Sequence, residues 1–168
     1  LALALSFGGR TNGQGLEVRL VFDRLPPLEL CGNTNLWGYR KREAARTLRM
    51  EARGAVGRFL MARNWNRQGL PFEGMVEAQV KFIFPNKRRR DPDNLMTALK
   101  AVWDELQTKG SYQILTGDDF DHLCTLPPIW EVRKGQEGME ITLREVAEPG
   151  VLRRKDGAAL HLLREGKL

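Results

Sequence analysis

Met75-Val76-Glu77-Ala78-Gln79-Val80-Lys81-Phe82-Ile83-Phe84 runs through Pro85-Asn86-Lys87-Arg88-Arg89-Arg90 into Asp91-Pro92-Asp93-Asn94. This passage decides the fold class, because it joins a strand to a helix through a charged turn. Val76, Ala78, Val80, Phe82 and Phe84 alternate with Glu77, Gln79, Lys81 and Ile83, the period of two that a strand shows when one face is buried. Asp is favoured as an N-cap and Pro at the first helical position, so Asp91-Pro92 starts a helix. Leu95, Leu99, Val102 and Leu106 then recur at spacings of four, three and four, the apolar stripe through which a helix packs on a sheet. The pattern predicts a helix over 92–109, stopped by Gly110.

Outward from that centre, strands are expected over 16–23, 122–132 and 139–145. A Pro-rich loop covers 24–37. A first helix over about 40–63 packs through Ala45, Leu48, Ala52, Ala55, Val56, Phe59 and Leu60. Pro127-Pro128 interrupts the strand over 122–132, which argues for an edge position or a bulge. The expected fold is α/β (α+β): one domain with a small mixed β-sheet and two main helices in the order β-α-β-α-β-β, covering 16–146. Residues 1–15 read as a flexible N-terminal segment and 147–168 as a basic C-terminal tail, in which Leu160, Leu162 and Leu163 suit a short helix. The first dozen residues, which lack an initiating Met, read as a trimmed tail. Leu1-Ala2-Leu3-Ala4-Leu5 is too short for a signal segment, and no later run approaches the ~18 apolar residues of a membrane span.

The turn carries the chemistry. Lys87, Arg88, Arg89 and Arg90 can grip a polyanionic backbone, while Asp91 and Asp93 offer the hard oxygen ligands that magnesium or manganese requires. The competing reading is a solvated charged turn that caps a helix. At about 100° per residue, Asp93, Lys100 and Asp104 share a sector opposite the apolar stripe, which places the Lys100 ammonium where it can meet a phosphate. An outward charged face of an ordinary amphipathic helix explains the same three residues. After the helix, Gly117-Asp118-Asp119 forms a turn from which Asp118 or Asp119 can return to the first acidic pair, since a metal used for phosphodiester hydrolysis is seldom anchored by two carboxylates alone.

Arg88-Arg89-Arg90-Asp91-Pro92-Asp93-Asn94, Leu99-Lys100-Ala101-Val102-Trp103-Asp104-Glu105-Leu106 and Asp118-Asp119 together resemble the RusA family of Holliday junction resolvases, in its phage-type form. In element order the resemblance covers 16–146, with its specific part between 85 and 122. Leu25-Pro26-Pro27 and Asn33 also resemble the family's Pro-rich entry after its first strand. The resemblance implies a Mg2+-dependent homodimeric endonuclease, with Mn2+ able to substitute, that cuts a four-way DNA junction by symmetric paired nicks in recombination and repair. It implies Asp91, Asp93 and Asp119 as metal ligands, with Asp118 the alternative to Asp119. Lys87, Arg88, Arg89 and Arg90 become DNA contacts. The family's active-site Lys stands one turn before Lys100, where this chain has Thr97, so Lys100 fits that role only across a one-turn insertion. A bacterial or prophage-encoded cytoplasmic protein is implied.

Composition agrees with a polyanionic partner. The 168 residues include 27 Lys and Arg against 21 Asp and Glu, a net charge of +6. Arg40, Lys41, Arg42, Arg46, Arg49 and Arg53 form a second basic group, partly balanced by Glu43 and Glu51. Cys31 and Cys124 lack the paired spacing of a zinc site or of a disulfide framework, and no membrane partner is expected. Trp103 and Trp130 read as core residues. Trp37 and Tyr39, beside Asn33, Asn35 and Arg40, suit either stacking on an unpaired base or contact with a second subunit. Two further functions remain open: a non-catalytic DNA-binding protein, and a nuclease specific for forks or flaps. Carboxylates beside a basic patch favour an enzyme, because a pure binder gains nothing from charges that repel phosphate.

Overall fold

A computed structural model describes residues 16–31, 38–87, 92–109, 112–119, 121–146, 151–153 and 159–161, with backbone alone for Pro92, Asp93 and the last two segments. Strand β1 (Glu17–Phe22) leads through a short 3-10 turn (Leu28–Leu30) to helix α1 (Gly38–Ala62), then to β2 (Met75–Phe84). Two helical segments follow, α2 (Pro92–Ala98) and α3 (Lys100–Leu106), and then β3 (Leu123–Thr125), β4 (Ile129–Val132) and β5 (Gly138–Val146). These strands form one five-stranded mixed sheet in the order β1-β5-β2-β3, with β4 also paired to β2. Both β1 and β2 run antiparallel to β5, whereas β3 and β4 run parallel to β2. A parallel neighbour requires a crossover, and α2 and α3 supply it.

The alternation in β2 resolves into two faces. Val76, Ala78, Val80, Phe82 and Phe84 join Val18, Leu20 and Phe22 of β1 and Met139, Ile141 and Leu143 of β5 in the core, all less than a tenth exposed. Leu48, Ala52, Ala55, Val56 and Leu60 of α1 close on them, with Ala45 and Phe59 partly buried against the same cluster. Each fully buried Leu or Phe contributes roughly 1.5–3 kcal/mol of transfer free energy, so this face is the main source of stability. The opposite face is polar. Arg144 pairs with Glu17 at 2.6 Å, Arg19 with Glu140 at 2.7 Å and Lys81 with Glu140 at 3.0 Å, a cross-strand ladder between β1, β5 and β2.

The structure corrects several boundaries. The helix expected over 92–109 breaks at Leu99 and ends at Leu106, before Gly110. At the break the amide of Leu99 bonds the carbonyl of Met96, and that of Val102 bonds Leu99, which are three-residue closures typical of a tightened 3-10 turn. No Gly or Pro lies between 93 and 109 to announce it. The apolar stripe survives the break: Leu95, Leu99, Val102 and Leu106 are all buried, as is Trp103. The strand expected over 122–132 is two strands, both on the free edge of β2, because the chain around Pro127-Pro128 cannot continue a ladder. Leu160 lies in a strand, β7 (Ala159–His161), which pairs with β6 (Val151–Arg153), where a helix was expected; Leu162 and Leu163 lie outside the described residues. Glu43 and Glu51 are not the partners of the helix arginines Arg49 and Arg53, which reach α3 instead.

Candidate active site

Lys100, the first residue of α3, meets the loop that leads to β3. Its ammonium nitrogen lies 3.6 Å from Oδ2 of Asp118 and 3.5 Å from Oδ1 of Asp104, one turn along the same helix. The other oxygen of Asp104 accepts a 2.9 Å bond from Nη2 of Arg49 on α1. Four charges therefore alternate in sign, Arg49, Asp104, Lys100 and Asp118, and tie α1, α3 and the loop together. Lys100 is the open member, with 74% of its side chain exposed against 29% for Asp118. One turn away, Arg53 Nε donates to Oε1 of Glu105 at 2.8 Å, and the carboxylate raises the arginine's pKa through that hydrogen bond and through its charge.

The position of Asp118 follows from what precedes and succeeds it. Ile114 and Leu115 are buried, and their amides both bond the carbonyl of Leu106 at the end of α3. At the far end of the loop the carbonyl of His122 accepts from the amide of Val76, where β2 begins. Asp118 thus stands between two points of attachment, the end of α3 and the start of β2.

Asp119 is the more exposed of the two, at 62% against 29% for Asp118, and engages one carboxylate oxygen within its own turn. Its Oδ1 lies 2.6 Å from Nδ1 of His122 and accepts the amide of Asp121 at 3.0 Å, while its carbonyl receives the amides of His122 and Leu123. The His122 hydrogen bond is the largest cause holding the Asp119 carboxyl below its ordinary pKa; desolvation, next in size, opposes it, and the Asp121 amide bond adds to the lowering. Gly117 makes room for this pair: a Cβ there would stand 3.0 Å from Nδ1 of His122 and 3.3 Å from Oδ2 of Asp119. His122 is a partner that sequence reading missed, and the Asp119-x-x-His122 spacing inside one turn was the available signal. Arg49 was missed as well. Its partner lies 55 positions away, beyond any local pattern.

Of the remaining candidates, Lys87 is described and exposed. Arg88, Arg89, Arg90 and Asp91 lie outside the described residues, and Asp93 is described only as backbone within α2. Asp93 and Lys100 are seven residues apart, about 10.5 Å along a helix axis. Leu99 between them keeps helical dihedrals (φ −69°, ψ −13°), and the apolar stripe stays buried on both sides of it, so the even spacing that underlies their common face is not lost there. The acidic loop adjoins the start of β2 and the basic turn leaves its end; α2 and α3 bridge the two. Among the described residues, no three His, Cys, Asp or Glu side chains group as a metal-holding set. Cys31 is buried and Cys124 exposed, both as free thiols. No described helix is long and apolar enough to cross a membrane.

No protein-family model matches the chain. Among curated proteins it is similar to the crossover junction endodeoxyribonuclease RusA of Aquifex aeolicus (strain VF5), with 28% identity over 74 residues, 44% of this chain and 52% of that protein. The chain thus matches about half the length of that relative.

Proposed function

We propose that this chain is a magnesium-dependent endonuclease that resolves four-way DNA junctions by paired nicks as a homodimer. The observation that carries the reading is the 3.6 Å approach of Lys100 to Asp118, which brings together two of the three sequence blocks that resemble the RusA family. Similarity to a protein named as a crossover junction endodeoxyribonuclease supports the same class. Asp118 offers partly open carboxylate oxygens, the hard donor type that magnesium accepts. Asp91, Asp93 and Asp118 would hold the ion, which when bound activates water and stabilises the leaving oxygen.

The protein's own groups have separate tasks. Lys87, Arg88, Arg89 and Arg90 hold the phosphate backbone electrostatically. Lys100, shared between two carboxylates and largely exposed, supplies a positive charge that can exchange from Asp118 to a scissile phosphate. Arg49 keeps Asp104 compensated while it does so. Asp119, the ligand implied by the family resemblance, acts in this reading through His122 to shape the turn on which Asp118 sits.

The test is incubation of the purified chain with Mg2+ and a labelled four-way junction, beside linear duplex, fork and flap substrates. Symmetric nicks confined to the junction, abolished by a chelator, are the expected result. Binding without cleavage identifies a non-catalytic binder, and faster cutting of forks or flaps a different substrate class.

A further inference from the structure

Trp130 does not occupy the core position its sequence suggested. It stands on β4, the edge strand, and is 40% exposed, with Val132 on the same face at 47%. Its register partner is Phe82, and its ring packs at 5.6 Å from that residue and, nearly parallel at 13°, 5.2 Å from Phe84. Phe82 and Phe84 are buried, so they hold the indole in place at low entropic cost when a ligand arrives. One side of the indole is committed to the core. The exposed remainder is a π surface of the kind on which a nucleobase stacks.

The surroundings identify the occupant. Because β4 runs parallel to β2 with Phe84 opposite Val132, the turns that leave the two strands emerge at the same end of the sheet. Lys87 lies on one turn, Arg133 and Lys134 on the other, and the amide of Arg133 bonds the carbonyl of Phe84. Lys87 and Lys134 are exposed; Arg133 is paired to Glu131 at 2.6 Å. With Arg133 paired to Glu131 and Glu137 the exposed carboxylate of the same turn, Lys87 and Lys134 leave the described residues at this end net positive, and a second copy placed here brings like charge. A polyanion with aromatic bases meets both of its features at once.

We propose that Trp130 is a stacking platform for an unstacked base of DNA, with Lys87 and Lys134 holding the adjoining phosphates. The inference rests on the proposed nuclease reading and extends it: a base at the branch point of an opened junction, or in a single strand, has a free face, whereas inside a linear duplex both faces are covered.

The test measures affinities, in Ca2+ to prevent cutting, for a four-way junction, a single strand and a linear duplex. The junction and the single strand carry 2-aminopurine. Trp130→Phe keeps a π surface, and Trp130→Leu keeps apolar bulk without one. Trp130→Leu should weaken junction and single-strand binding roughly 5- to 150-fold, the loss of one base–aromatic stack, leave duplex binding within about twofold, and remove the quenching of 2-aminopurine. Trp130→Phe should retain most of both signals. Equal weakening on all three DNAs, or no weakening by Trp130→Leu, overturns the stacking role while the nuclease reading stands. A fall in mass of Trp130→Leu by light scattering overturns it in favour of a second copy on this edge. A wild-type chain that binds none of the three DNAs overturns the nuclease reading itself.

Discussion

Asp118→Asn and Asp119→Asn separate the two acidic residues of the loop by opposite signatures. Asp118 contributes one exposed ion pair, 3.6 Å from a lysine that is 74% exposed. A pair of that kind is worth about 0–1 kcal/mol, so Asp118→Asn should move the denaturation midpoint only slightly. Asp119 contributes more to the fold, through the 2.6 Å contact with His122 and the 3.0 Å bond from the Asp121 amide. Catalysis should rank them in reverse. Changes to groups behind a metal ligand typically cost about 10–100-fold in affinity or activity, so loss of a direct ligand should exceed about 100-fold. Asp118→Asn is therefore expected to reduce junction cleavage by more than about 100-fold with its fold and junction binding intact, because less negative charge faces the phosphates. Asp119→Asn should cost roughly tenfold or less. The assay is single-turnover cleavage of a labelled junction over a Mg2+ titration, with guanidinium denaturation of each variant. Near wild-type cleavage by Asp118→Asn, together with loss in a stably folded Asp119→Asn, would refute the assignment of Asp118 as the ligand.

Leu99→Ala removes a fully buried side chain at the helix break and should cost about 2–5 kcal/mol by chemical denaturation; less than 1 kcal/mol would show that the break does not depend on this anchor. Asp119 has a lowered folded pKa, so it contributes stability that is present above its unfolded pKa and lost as pH falls through the folded one. An NMR titration of its carboxyl should show the midpoint rise in His122→Ala, and an unchanged midpoint would contradict the hydrogen bond as the cause. Arg89→Ala and Arg90→Ala should weaken binding to every DNA sequence alike and each reduce the salt slope by about 1, as phosphate contacts do; sequence-selective loss would point to base readout. Light scattering should give twice the 19.1 kDa chain mass, and a fully active monomer would remove the paired-nick mechanism.

What could be read along the chain was whatever depends on neighbours in sequence. The alternation in β2 and the three-and-four spacing of Leu95, Leu99, Val102 and Leu106 place the strand and its packing helix, because side-chain direction repeats with a fixed local period. Pro127-Pro128 broke its strand for the same kind of reason, a missing backbone donor. Lys100 and Asp118 could be selected as candidates by residue type, but their approach depends on how Ile114, Leu115 and His122 are tied to distant backbone. Asp104 takes Arg49 from another helix, and Asp119 turns to His122, although both carboxylates look alike in sequence. Trp130 shows the limit most directly. Its apolar character is a property of the residue, but its exposure is a property of the edge on which β4 lies, and an edge exists only once the sheet order β1-β5-β2-β3 and the pairing of β4 with β2 are in place.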